Sequence, residues 1–196
     1  MDFLIFSKKF HLVKKSKCSV LKSFKMVQQL KQFVPSAVCL QCDGCCRFKS
    51  ADSPWRPKLG AQESQGLAAK ITQADWLDDD GHIRTLRHCG EDLCRFFNPD
   101  DHTCKVYDNR PFECALYPFV LSRSAVGVEV YAHLSCPYIQ DTEATAAFDE
   151  YAGYLKEYFH APAVKDFLKR NASLVHDYSP FVMELQHLFT IEGLRL

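Results

Sequence analysis

The chain has 196 residues, of which 47% are hydrophobic, 24% charged and 13% aromatic; this mixture describes a globular chain and excludes collagen-like, coiled-coil and disordered classes. No apolar run reaches the roughly 18–20 residues that cross a bilayer. The formal net charge of zero hides a division, because residues 1–38 carry a net +7 and residues 39–196 a net −7.

Residues 1–26 form a basic arm, whose lysines stand against Asp2 alone. Its one compact apolar stretch, residues 3–6, is too short for a secretion signal, and it lacks the arginines of an organelle-targeting peptide. It reads as a flexible appendage, or as sequence upstream of a start at Met26. Residues 27–196 read as a single cysteine-cluster domain, with a metal-binding core over 39–138 and a helical tail over 142–196.

A short helix is expected over 27–38, ended by Pro35. Residues 39–59, punctuated by Cys, Gly and Pro, read as compact loop. Residues 61–77 have helical composition and stop at the turn Asp78-Asp79-Asp80-Gly81. Short strands follow over 83–87, 93–97 and 103–107, the last two joined as a hairpin by Asn98-Pro99-Asp100-Asp101. Asp108 is a candidate N-cap for a helix through Tyr117, with Pro111 in its first turn and Pro118 closing it. A second hairpin pairs 119–123 with 128–134. Beyond Thr142 the pattern is helical: Phe148, Tyr151, Leu155 and Phe159, then Val164, Phe167 and Leu168, then 181–188. The expected fold is α+β: a small loop-rich metal-binding core with short antiparallel hairpins and a C-terminal helical segment.

Ten cysteines in one chain of this length is several times ordinary usage. Four of them make a C-x2-C-x2-C-C run: Cys39, Cys42, Cys45 and Cys46. Two intervening residues let a tight turn aim both sulfurs at one metal, and Gly44 suits such a turn. Cys94, Cys104 and Cys114 follow at even spacing, then Cys136-Pro137. A disulfide framework would need an oxidising compartment, for which the sequence has no secretion signal. A thioredoxin-like C-x-x-C pair would leave six of the eight unexplained. Metal binding explains them together. A C-x2-C-x2-C triple with a distant Cys-Pro follows the ligand spacing of a [4Fe–4S] cluster, whereas zinc would take four thiolates at about 2.3 Å. Both metals stay open, with iron–sulfur favoured.

The C-x2-C-x2-C-C run, the stretch Cys104-Lys-Val-Tyr107-Asp-Asn-Arg110-Pro111-Phe-Glu-Cys114-Ala-Leu-Tyr117-Pro118-Phe119, and Cys136-Pro137 resemble the YkgJ-type cysteine-cluster family. Members of that family carry a zinc- or iron-chelating domain, and flagellin lysine N-methylases belong to it. The resemblance spans about residues 39–138. It implies that Cys39, Cys42, Cys45, Cys46, Cys94, Cys104, Cys114 and Cys136 are metal ligands; Cys18 and Cys89 have no counterpart. It implies chelation more firmly than methyl transfer. No G-x-G-x-x-G marks a Rossmann-type methyl-donor site, and the C-x3-C-x2-C triple of radical S-adenosylmethionine enzymes is broken by Lys49.

Among the other residues, Arg110 is a candidate charge partner for cluster thiolates, followed by Arg47 and Arg95. Trp55 reads as a lid on the core. His82, His88, His102 and His133 read as turn or surface residues beside so many thiols, and the Asp78–80 acids as solvent-facing. The expectation is a cytoplasmic metalloprotein, with an iron–sulfur cluster or zinc as cofactor and a protein substrate or redox partner. Nucleic acid and membrane are not expected as partners.

Overall fold

The structure is a computed structural model and describes residues 30–42 and 44–196. The basic arm expected over 1–26, Cys18 within it, and the start of the helix expected over 27–38 lie outside the described residues.

Helix α1 spans Ser36–Cys39 and begins after Pro35, which caps it in extended geometry (φ −55°, ψ 141°). Pro35 therefore opens a helix where it was expected to end one. A proline has no N–H to donate, and that loss costs least where a helix starts. The loop carries a single 3-10 turn, Gly44–Cys46, and the two-residue strand β1, Arg47–Phe48.

Helix α2, Ala61–Ala68, is half the expected length. The chain beyond it turns back instead, so that Leu77 bridges to Ile83 across the acidic turn, where Gly81 has φ +86°. Strands β2 (Thr85–His88) and β3 (Glu91–Cys94) pair as a hairpin, and β1 adds to β3 in the order β1-β3-β2. The connecting residues Cys89 and Gly90 both have positive φ, 48° and 88°, as a two-residue turn between right-twisted strands requires. The hairpin expected around 98–101 is present as β4 (Phe97–Asn98) paired with β5 (Thr103–Cys104).

The helix expected from Asp108 through Tyr117 is split. Tyr107–Asn109 make a 3-10 turn, Arg110 is extended at ψ 148°, and α3 runs only over Phe112–Leu116. The cause is local: a residue before proline is crowded out of the helical region, so Arg110 cannot continue a helix into Pro111.

Strands β6 (Phe119–Ser124) and β7 (Gly127–His133) form the second expected hairpin. Gly127 cannot be replaced easily at its turn, because φ is +141° and a Cβ would lie 2.8 Å from the Leu194 carbonyl oxygen. Then come α4 (Pro137–Thr142), α5 (Ala146–His160) and α6 (Pro162–Arg170). Thr145 caps α5 by accepting from the Phe148 N–H at 3.3 Å, and Phe148, Leu155 and Phe159 form its buried stripe. The helical reading of 181–188 is overturned. Ser179–Glu184 is a 3-10 segment, and Leu185–Ile191 is a strand, β8, hydrogen-bonded antiparallel to β7. An open edge of β7 offers a full row of partners, and tertiary pairing outweighs weak local propensity.

Two main hydrophobic clusters result, with a third, of Val120, Tyr178 and Leu185, on the other face of the β6-β7 hairpin. The larger lies between the β6-β7-β8 sheet and α3 to α6, with Phe112, Val130, Leu155, Phe159 and Leu168 closed to solvent. The smaller packs α2 against the β1-β3-β2 sheet around Ile83, Leu93 and Phe97. This α+β arrangement puts the cysteines at the seam: Cys136 and Cys39 pack with the larger cluster, Cys94, Cys46 and Cys104 with the smaller.

Candidate metal centre

Local structure delivers the thiols to that seam from separate directions. The chain before α1 is anchored by Phe33, whose ring meets Phe119, Tyr138, Phe148 and Tyr151, and this sets where Cys39 can stand. Cys45 and Cys46 sit on the 3-10 turn, Cys94 ends β3, Cys104 ends β5, and Cys114 is on α3. The short helix α3 is held at its start by a neighbour. Glu63 of α2 accepts from the Phe112 N–H at 2.7 Å and from the Gly60 N–H at 3.0 Å, so one carboxylate satisfies the exposed donors of two helix starts. Glu113, next to Cys114, accepts from the Lys58 N–H and pairs with His176 Nε2, each at 2.7 Å.

Six of the eight cysteines predicted as ligands, Cys39, Cys45, Cys46, Cys94, Cys104 and Cys114, line one cavity of about 220 Å³. Cys42 and Cys136 do not line it, yet both act on a group beside it: Cys42 on the Cys39 thiol, and Cys136 on the Tyr117 phenol. Cys45 is the common centre, raising the thiol pKa of Cys39, Cys46, Cys94, Cys104, Cys114 and Cys136 by like-charge repulsion. No disulfide joins any of the nine described cysteines, and Cys89 is exposed at its hairpin turn, away from the cavity.

Burial is the first cause that pushes Cys39, Cys104, Cys114 and Cys136 above the ordinary thiol range, and it takes Cys94 to about 12. Cys46 is raised first by its hydrogen bond with Cys45 and then by burial. Thiols buried this close together do not readily ionise together, and a bound metal would reverse that balance by taking them as thiolates. The donor set fits soft metals, zinc or iron–sulfur, over calcium or magnesium. Among the described residues no three His, Cys, Asp or Glu side chains already stand within reach of a single ion.

Among the described residues, a cation acts on the candidate ligands from outside the thiol set. Arg110 lowers the pKa of Cys39 and Cys104, opposing burial. Its guanidinium lies 4.2 Å over the Tyr107 ring and donates to Gln32 Oε1. Arg47 also lines the cavity, paired with Glu91. Arg95 does not line it.

The far end of the cavity is lined by residues that the sequence did not single out as functional. Tyr117 faces the thiols and shares a 3.3 Å hydrogen bond with His133 Nδ1. His133, expected at a turn or surface, is 5% exposed at the end of β7; its Nε2 has no hydrogen-bond partner, the Glu184 carboxylate standing 3.6 Å away. Trp55 lies flat against His133 at 4.0 Å and Tyr178 at 4.8 Å, a lid as expected, but over the cavity wall. Tyr117 carried a sequence signal too, since it lies in the Cys114-Ala-Leu-Tyr117-Pro118 stretch. Asp78 is not spare for a cation: it accepts from the Asp80 and His82 N–H groups and pairs with Arg56 at 2.7 Å.

Comparison with known proteins gives the family of the chain. Residues 38–149 match the CxxCxxCC family, described as a putative zinc- or iron-chelating domain. No curated protein and no solved structure matches the chain.

Proposed function

Since the chain belongs to the CxxCxxCC family of zinc- or iron-chelating domains, we propose that its cysteine cavity holds an iron–sulfur centre that serves electron transfer or supports modification of a protein substrate. The observation that carries this reading is the gathering of thiols: Cys39, Cys45, Cys46, Cys94, Cys104 and Cys114 line one cavity of about 220 Å³, more sulfur donors than the four that close one zinc site. The C-x2-C-x2-C triple with Cys136-Pro137 supports the same assignment.

The bound cluster would supply one-electron chemistry. The chain's own part is to hold and tune it: Cys39, Cys42, Cys45, Cys46, Cys94, Cys104, Cys114 and Cys136 are the proposed ligands, more than one four-iron cluster uses. Arg110 offsets their accumulated negative charge, and the aromatic walls of Tyr117 and Trp55 limit water. Burial and nearby charge are the levers that set such a centre's potential. A cytoplasmic setting, which keeps thiols reduced, and a protein substrate or redox partner complete the reading. Among the described residues no helix is long and apolar enough to cross a membrane.

A second reading, structural zinc without catalysis, is favoured by one observation: the cysteines bridge the two hydrophobic clusters, where a redox-inert ion would act as a staple. Anaerobic purification with iron, sulfide and zinc quantified on the same sample separates the two. The expected product is brown, with iron and sulfide in equal amounts and a broad visible absorption. A colourless protein with stoichiometric zinc overturns the iron–sulfur assignment and leaves the staple.

A further inference from the structure

We propose that a second cavity, of about 310 Å³, binds an uncharged organic molecule that carries a hydrogen-bond donor on an apolar body. The cavity opens beside α2, and among the described residues no cysteine lines it. Its floor is apolar, built from Leu30, Leu59, Leu67 and Phe167. Such a floor favours contact with hydrocarbon, and it strips an ion of water without replacing it.

The charges of the lining cancel by number, with Lys70 and Arg110 against Glu63 and Asp108. Three of the four are also engaged within the protein. Lys70 donates to Asn109 Oδ1, Arg110 donates to Gln32 Oε1, and Glu63 accepts from the Gly60 and Phe112 N–H groups. Asp108 is exposed to solvent. The lining therefore selects neither an anion nor a cation.

One buried acceptor of the lining lacks a partner. Gln62 lines the cavity, and its side-chain oxygen Oε1 is closed to solvent and accepts no hydrogen bond. Buried oxygens of this kind are nearly always satisfied, because an unmet one has lost its water and gained nothing in return. The group that meets Gln62 has to bring an O–H or N–H, and the floor beside it asks that the rest be hydrocarbon. Primary amides and alcohols share that chemistry. A lone water would bring the donor but leave the apolar floor uncovered.

The test uses the full chain as purified and three probes of similar shape in calorimetric titration: benzamide, benzoate, and acetophenone, in which a methyl replaces the amide nitrogen. Benzamide is expected to bind with a Kd of about 1 mM or tighter. Acetophenone should bind about tenfold more weakly for want of a donor, and benzoate at least as weakly, because the lining offers no net positive charge. Gln62→Met removes the acceptor, so it should bring benzamide down to the affinity of acetophenone and leave acetophenone unchanged. NMR shifts should fall on the Leu67 methyls and the Phe167 ring. Absence of benzamide binding, equal binding of acetophenone or benzoate, a preference that survives Gln62→Met, or shifts at Trp55 of the cysteine cavity instead overturns the proposal. The comparison of probes on the unaltered chain stands whether or not the variant folds. Binding does not depend on the metal assignment: a metal-loaded protein that ignores benzamide defeats only this cavity, and a metal-free protein that binds it defeats only the metal centre.

Discussion

Each buried thiol of the candidate centre holds its proton more tightly once the metal-free chain folds, and each buried imidazole holds its proton less tightly. For Cys94, taken to about 12, and for Cys104, Cys114 and Cys136, raised in the same direction, the folded pKa exceeds the unfolded one. Their contribution is fully present below the ordinary thiol value of about 8.5 and is lost as pH rises through the folded values. His82 and His133 run the other way. Burial lowers both, so the unfolded chain takes up protons first, and stability falls as pH drops below about 6.5. Denaturant midpoints of metal-free protein should therefore form a plateau between these limits and fall on both sides. A profile flat from pH 7 to 11 would contradict the burial of these thiols. The six cysteines that line the cavity stood out in the sequence, because thiol spacing is a one-dimensional signal. His133 did not, because its place beside Tyr117 and Trp55 depends on β7 ending where the chain folds back.

At the scale of elements, the hairpins around 98–101 and 124–127 were readable from their turn residues. The β2–β3 turn was hidden, because a cysteine occupies a position where asparagine is the usual residue. Cys89 is exposed, has φ +48° and does not line the cavity. Asparagine tolerates that conformation better than most side chains. Cys89→Asn should leave metal content unchanged and shift stability by no more than about 0.5 kcal/mol, in the stabilising direction; a loss of metal would mean that Cys89 belongs to the centre. The lengths of α2 and α3 failed to emerge for different reasons. Composition carried α2 past the point where Leu77 finds Ile83, and the clash of Arg110 with Pro111 is a backbone effect that periodicity does not register. Strand β8 was read as helix because its apolar residues also fit helical spacing, and only the free edge of β7 decides between them.

For the whole molecule, the decisive feature is that the thiols come from both hydrophobic clusters. Structural zinc contributes about 10–16 kcal/mol in small fingers, comparable to the entire margin of about 5–15 kcal/mol that holds a typical domain. Chelation should therefore loosen the seam first. The expected result is faster hydrogen exchange and proteolysis in residues 47–104, while the β6-β7-β8 sheet keeps its protection. The Cys42→Ser/Cys114→Ser double variant should reproduce this state and lower the melting temperature. An unchanged melting temperature in that variant would rule out a metal-dependent core. One pairing also orders events in time. β7 leads directly to Cys136 through His133, and it is a middle strand only when β8 lies beside it. A ribosome releases β8 some fifty residues after Cys136, so the last proposed ligand reaches its final place late in synthesis. The proposed centre would then be completed after β8 has paired with β7.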